Sequence, residues 1–545
     1  MQLLGRVRWP GCCALKTAEV DESHAGQRID KNVDRGALNR EGDETMTQTA
    51  AATDSKSETS QHFDVAIVGA GISGIGAAYH LKTQCPGMSF VILEAQDSFG
   101  GTWITHRYPG IRSDSDLYTF GYRFKPWIGK PIATAEEILA YLGEVIDENG
   151  LDAHIRYRHR IWRARWSSAD NLWTLEGSRA SDGATVRFTA NFLWMCQGYY
   201  RHEKGYTPEW KGMETFVGRI VHPQAWPEDL DCTGKKVVVI GSGATAATLI
   251  PAIAGRCNHV TMLQRSPTYY ITGRNANALA DTLRELEVNE EWIHEIIRRK
   301  VLFDQAAFTR RCFSEPEAVK QDLLSAVRAY LGEDYDLETH FSPKYRPWRQ
   351  RVAFIPDGDL FQEIRSERAS VVTDEIERFT PSGILTKSGK LLEADIIVTA
   401  TGFNLNVLGD IDFIIDGQPL NFSDTVTYRG TMFVGVPNMA WVFGYFRSSW
   451  TLRVDLVGDF VCRLLNHMKG RGLSKVVPSL RPEDSGMPLS SWIDPENFNP
   501  GYVMRGGHLL PKQGNKPEWR HSHDYEIDKQ TLAAADLSDG TLVYG

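Results

Sequence analysis

Two glycine-spaced segments carry phosphate-binding chemistry: Gly69-Ala70-Gly71-Ile72-Ser73-Gly74 and Gly241-Ser242-Gly243-Ala244-Thr245-Ala246. In such a turn the first glycine makes the tight bend and the second lets the backbone approach a pyrophosphate. The third, where alanine is an accepted variant, lets helix and strand pack closely. The free N–H groups that open the following helix then point at the phosphates. Glu94 stands twenty residues beyond Gly74, placed to accept hydrogen bonds from ribose hydroxyls. At the matching position the second segment carries Gln264-Arg265. A carboxylate there would repel a ribose 2′-phosphate, whereas a guanidinium pairs with it, so NADP is favoured over NAD at the second site. The alternative is that Arg265 is a solvated surface charge. Thr245 and Ser266 offer hydroxyls to the same ligand. A chain that builds two such pockets can pass electrons from one bound cofactor to the other.

Elements able to hold these turns flank them. Residues 63–68 form a short apolar run that suits a buried parallel strand, followed by a helix over 75–82 and a strand over 90–93. The order repeats with a strand over 237–240, a helix over 245–250 and a strand over 260–263. Strands alternating with helices imply parallel sheets and an α/β architecture with two Rossmann-like dinucleotide-binding domains. Residues 117–187 mix aromatics, a helix from about 135 to 149 and hairpin-like strands. Residues 275–332 are charged, with helical spacing at Leu279, Leu283, Leu286, Ile296, Ile297, Leu323, Leu324 and Val327. They read as a helical insertion in the second nucleotide domain, with packing as its first role and a wall of the substrate pocket as its second. A buried strand over 395–402 leads the chain back to the first domain. Segment 444–450 precedes an apolar helix through Leu456, Phe460 and Leu464, with Ser448 or Ser449 as its cap.

A chain of 545 residues is long enough for two to three domains. With 42% hydrophobic residues and 10% aromatic it has the make-up of a globular protein rather than a disordered or fibrous one. A formal charge of −9 argues against general affinity for nucleic acid or an anionic membrane. No apolar run matches a bilayer span, since residues 237–254 are broken by Gly241, Gly243, Thr245 and Pro251. Eight cysteines without a CxxC pattern suggest neither a zinc site nor a redox-active disulfide, and reduced thiols in a cytoplasm are expected. Residues 1–60 are polar and poor in periodic apolar positions, so they read as a disordered leader in which Met46 could be the start of translation.

Between the two fingerprints lies Phe216-x-Gly218-x-x-x-His222-x-x-x-Trp226-Pro227. A dense loop follows the first: Gly100-Gly101-Thr102-Trp103, Arg107-Tyr108-Pro109-Gly110 and Ile111-Arg112-Ser113-Asp114. It could press a flat heteroaromatic ring between backbone and Trp103, or be a compact connection. Late in the chain comes Ala400-Thr401-Gly402. Together these segments resemble the flavin-dependent (type I) Baeyer–Villiger monooxygenases, and within that family the ethionamide-activating mycobacterial branch. Related flavin-containing monooxygenases end the signature without Trp-Pro. The resemblance runs from about Phe63 to Gly514.

The resemblance implies FAD in the first site, NADPH in the second, and insertion of one oxygen atom from O2 beside a ketone carbonyl to give an ester or lactone. Sulfur in thioethers and thioamides is a further substrate class by the same resemblance. It divides the chain into an FAD-binding domain over 61–204 and 379–514, an NADPH-binding domain over 205–378 with the insertion at about 275–345, and a tail over 515–545. The oxidant must attack as an anion, and a buried anion must be paired. The family uses an arginine, matched here by Arg351, with a partner carboxylate at Asp114 and a domain-coupling role for His222. From the residues alone, Arg346 or Arg349 could take that role, or all three could be a surface cluster. Many members carry lysine where this chain has Gln350, which weakens strict NADPH preference. The rival readings are a flavin monooxygenase acting on nitrogen or sulfur compounds or on long-chain hydrocarbons, and a flavin reductase that does not oxygenate.

Overall fold

The computed structural model describes residues 60–545; the leader, with Cys12, Cys13 and Met46, lies outside the described residues. Both fingerprints spring from strands whose apolar runs are buried on both faces, which is what a parallel sheet covered by helices requires. The strand Gln61–Val68 pairs in parallel with Phe90–Leu93 on one side and with Thr185–Met195 on the other. The strands Leu172–Arg179 and His159–Ser167 add an antiparallel wing, and the whole is a nine-stranded sheet. The short strand Met439–Trp441 lies parallel to the end of Thr185–Met195, so the chain returns to this sheet late in the sequence.

The second sheet has five strands, all parallel, with Lys236–Ile240 flanked by His259–Gln264 and Ile396–Thr399. Ala369–Thr373 and Arg219–Val221 form its edges. The strand expected to lead back to the first domain is therefore a central strand of the second, and the boundary expected at 378/379 falls inside that sheet. An apolar run at residues 396–399 reads the same in either sheet; only its pairing partners decide.

The helical insertion consists of Ala278–Glu285, Glu290–Ser314, Pro316–Leu331 and Leu337–Phe341. Its early part packs on the first sheet's core through Ile293 and Ile297, and its later part on the second's through Val327 and Leu331. Leu279, Leu286 and Ile296, read from their spacing as part of a packed face, are 41%, 67% and 38% exposed. Arg298 is buried in their place. Its Nη1 donates to the carbonyls of Tyr118 and Gly121, each at 3.0 Å, and its Nη2 lies 3.5 Å from Asp455. Asp455 sits on the helix Thr451–Arg471 and meets His80 at 3.0 Å across the interface with helix Ile72–Gln84.

The segment set apart as a tail is part of the first domain's packing. Strand Leu542–Tyr544 pairs with Val476–Pro478, and Trp519, Leu532 and Leu537 are buried in the first core. Asp528, on helix Tyr525–Ala533, pairs with the fully buried Arg453 and accepts from the Tyr445 hydroxyl at 2.8 Å. Neither Ser448 nor Ser449 caps the helix that follows: Trp450 holds the cap position, and Ser449 is hydrogen-bonded to Thr119 at 2.7 Å. Among the described residues no helix is long and apolar enough to cross a membrane.

Candidate functional site: two nucleotide turns on one cavity

At the first turn Gly69 has φ +103°, and its N–H donates to the Leu93 carbonyl at 2.8 Å, tying the bend to the neighbouring strand. Gly71 and Gly101 face each other closely enough that a Cβ on Gly101 would come within 3.1 Å of the Gly71 Cα. Bare backbone thus borders a slot of the kind a pyrophosphate enters. Gly71 is the N-cap of helix Ile72–Gln84 and no side chain caps it, so its first-turn N–H groups are left for a ligand. Glu94 accepts from the N–H groups of Ala70 at 2.6 Å and Gln96 at 2.8 Å. Burial raises its carboxyl above the ordinary value, and those two bonds oppose the shift. Thr102 and Trp103 line the same cavity, with Trp103 edge-on to Phe120 at 5.7 Å.

The second turn repeats the plan. Gly241 has φ +124° and bonds the Leu263 carbonyl at 2.8 Å. Gly243 is the uncapped N-cap of helix Ala244–Ala254, and a Cβ there would meet nothing within 4 Å, which leaves the approach open. Ala246 is buried against the sheet. Gln264, which replaces the acid, turns inward and donates to the His340 carbonyl at 2.7 Å and to Thr373 Oγ1 at 2.8 Å. Arg265 is therefore the side chain left at the ribose end of this turn. It is exposed, lines the cavity with Thr245 and Ser266, and makes no side-chain hydrogen bond or ion pair among the described residues, though its charge reaches Glu375 on the same wall.

Both turns open into one cavity of about 1270 Å³. Of the three clustered arginines only Arg351 lines it. Arg349 pairs with Glu496 at 3.1 Å, and Arg346 donates to the Asn497 carbonyl at 3.1 Å. Arg351 is gripped by Asp114 through two parallel bonds, Nε to Oδ2 at 2.7 Å and Nη2 to Oδ1 at 2.9 Å. The neighbouring loop charges are spent elsewhere: Arg112 on Asp359, and Asp116 on the N–H of Tyr118. Burial alone would lower the Arg351 pKa, but Asp114 and the phenols of Tyr199, Tyr502 and Tyr200 hold it above the ordinary value. Deep as it lies, the side chain keeps 35% of its surface open. A fixed cation with one nitrogen unassigned can hold an anion or polarise a carbonyl.

Tyr199, Tyr200 and Tyr502, which the motifs do not single out, stand beside this pair. The Tyr199 hydroxyl donates to that of Tyr200 at 2.8 Å, Tyr199 stacks on Trp450 at 4.9 Å, and the buried Tyr502 phenol stands against both tyrosines. One signal pointed to the first two: they follow the carboxyl end of the central strand Thr185–Met195, where open α/β sheets bind ligands. The aromatic signature lies to one side. Phe216 is buried in a separate cluster on the second sheet with Val238, Ile240 and Phe379, and a Cβ on Gly218 would stand 2.2 Å from the Asp395 carbonyl oxygen. The His222 ring accepts from the Gln224 N–H and donates to the Gly402 carbonyl, both at 3.1 Å. Gln224 in turn donates to the Arg201 carbonyl at 2.6 Å, so the motif clasps the segments that run between the two sheets. Trp226 packs against the second core.

Two glycine turns of dinucleotide-binding form face one cavity, and the comparisons give the class. The NAD(P)-binding Rossmann-like domain family matches residues 67–126. The FAD-containing monooxygenase EthA of Mycobacterium tuberculosis (strain ATCC 25618 / H37Rv) is 46% identical over 484 residues, covering 88% of this chain and 97% of that protein. EthA of Mycolicibacterium smegmatis is likewise 46% identical over 484 residues, with the same coverage. The chain belongs to the FAD-containing monooxygenases, a family of flavin-dependent oxidoreductases. In fold it is similar to an oxidised steroid monooxygenase bound to NADP, at TM-score 0.70 and 24% identity over 89% of this chain and 99% of that one. It is also similar to cyclohexanone monooxygenase from Rhodococcus sp. Phi1 bound to NADP+, at TM-score 0.66 and 21% identity over 89% of this chain and 99% of that one.

Proposed function

We propose that the chain is a Baeyer–Villiger monooxygenase that takes FAD at the Gly69 turn and NADPH at the Gly241 turn, and inserts one atom of O2 beside a ketone carbonyl. FAD, once reduced by NADPH, supplies the activation of oxygen. The residues present fit both nucleotides: the slot between Gly71 and Gly101 leaves a pyrophosphate the space a Cβ would take, and Gly243 leaves the second helix start open. Glu94 accepts from the FAD ribose and Arg265 pairs with the 2′-phosphate of NADPH. Asp114 orients Arg351, whose unassigned Nη1 holds the oxygen anion and then the oxyanion that forms when a carbonyl is attacked. The carboxylate-clamped arginine on the cavity wall is the observation that carries this reading. Purified holoenzyme, NADPH and 18O2 with a panel of ketones and thioethers test it. One 18O atom in an ester or lactone is expected; sulfoxide without ester from any ketone would assign the chain to sulfur oxygenation instead.

Arg265→Ala is expected to raise the KM for NADPH by about tenfold or more while moving that for NADH little, because only NADPH carries the phosphate. Equal changes in initial-rate measurements with the two coenzymes would remove Arg265 from this role.

The raised pKa of Glu94 gives FAD binding a pH dependence of definite sign. Ribose hydroxyls donate to the ionised carboxylate and favour it, so binding drives the proton off. Affinity is then full above the pKa of the empty site and falls as pH drops below it. Glu94→Gln should flatten that dependence and weaken FAD by roughly tenfold or more, the scale of a charge-assisted bond. Reconstitution of apoprotein followed by flavin fluorescence across pH gives the answer; identical profiles for both proteins would contradict the assignment.

A further inference from the structure

A second cavity of about 220 Å³ shares no lining residue with the large one. It lies behind segment 445–450, from which Tyr445, Ser448 and Trp450 line the large cavity while Phe446 and Arg447 line the small one. Its remaining walls include Phe313, Trp492, Phe498 and Arg520. By volume it holds about seven waters' worth of space, which suits a short-chain or single-ring molecule.

The charges around it do not balance. Arg447 donates to the carbonyls of Asn497 at 2.6 Å and Trp348 at 3.4 Å, and its guanidinium lies 5.2 Å from the Phe313 ring centre. Arg346 lies over the same ring at 3.9 Å and bonds the same Asn497 carbonyl. Neither has a carboxylate within ion-pair distance among the described residues, nor does Arg520. Burial and the nearness of Arg346 hold Arg447 down at about 10. Two guanidiniums crowded together without a counter-ion form an arrangement that a bound anion relieves. The wall's one carboxylate, Asp494, is occupied by the Glu496 N–H and the Asn497 amide. Trp492, 1% exposed, and Phe498 close the apolar part of the wall.

We propose that this second cavity binds the carboxylate of a small apolar acid, held by the Arg447 guanidinium, whose Nη1 is unassigned, with its hydrocarbon part against Phe446 and Phe498. The site needs neither nucleotide, so it stands apart from the oxygenation chemistry. Arg447 is tied through the Trp348 carbonyl to the stretch that ends on Arg351.

Isothermal titration of the FAD-loaded full chain with sodium benzoate, and with benzyl alcohol as its uncharged counterpart, tests the proposal. One saturating event per chain is expected for benzoate and none of comparable affinity for benzyl alcohol. Arg447→Met and Arg447→Gln should each weaken benzoate about tenfold or more, while Arg351→Ala leaves it unchanged. Arg447→Gln keeps a polar side chain of similar reach without the charge and decides the matter should Arg447→Met fail to fold. The proposal is overturned by the absence of saturable benzoate binding, by equal binding of the alcohol, by full binding in Arg447→Gln, or by loss of binding in Arg351→Ala, which would put benzoate in the large cavity.

Discussion

Arg351→Ala is expected to cut ester formation by at least about 10²-fold while NADPH still bleaches the flavin at close to the normal rate. The size follows from what removal of one oxyanion donor costs elsewhere, roughly 10² to 10³ in turnover. Here the loss is larger than a single neutral bond, because the group removed is a charge fixed in place by two bonds to Asp114. Flavin reduction is spared because the nucleotide turns and Arg265 are built from other segments. Arg351→Lys is expected to recover little, since a point ammonium cannot keep both bonds to Asp114 and also offer a third donor in plane. Asp114→Asn should fall between, with the guanidinium present but its orientation loosened. Stopped-flow reduction and product analysis on the same preparations separate the two half-reactions. Unchanged ester yield in Arg351→Ala would end the proposed role.

Gly74→Ala is expected to yield protein that purifies without flavin and unfolds at markedly lower denaturant. An added Cβ would sit 1.8 Å from the Gly69 carbonyl oxygen, which is backbone, in the turn itself. A flexible side chain could swing aside; this carbonyl moves only if helix and strand separate. Overpacking costs about 1–3 kcal/mol where neighbours can adjust, and a clash with fixed backbone lies at or beyond the upper end. Gly243→Ala is the contrast. Nothing lies within 4 Å of its Cβ, so the protein should fold and keep its flavin, and only NADPH use should suffer because the methyl occupies the phosphate approach. A Gly74→Ala protein with full flavin absorbance and an unshifted midpoint would contradict the packing argument.

Local pattern carried a good deal of this molecule. Strand, glycine turn, helix start and closing residue lie within about thirty residues of one another, so Gly69 to Glu94 and Gly241 to Arg265 could be read as two nucleotide sites before any coordinates. The inward turn of Gln264 was not readable, because it depends on the His340 carbonyl and Thr373, which come from distant segments. Residues 396–399 were legible as a buried strand and not as a member of the second sheet. The helical insertion was legible as helix, whereas its buried face was not: spacing favoured Leu279 and Leu286, and the carbonyls of Tyr118 and Gly121 favoured Arg298. The last segment of the chain was set apart because the resemblance stops at about Gly514, yet Trp519, Leu532, Ala535, Leu537 and Leu542 are buried in the first core.

By itself the sequence determined the class of fold and the two glycine turns, since each depends on neighbours close in the chain. Only the tertiary structure decided which of Arg346, Arg349 and Arg351 faces the cavity, that Asp114 grips it across 237 positions, and that three tyrosines surround the pair. The physical reason is range. Turn geometry and helix starts are set by residues a few bonds apart, whereas a charge clamp, a counter-ion or a buried donor is set by whatever the fold brings alongside.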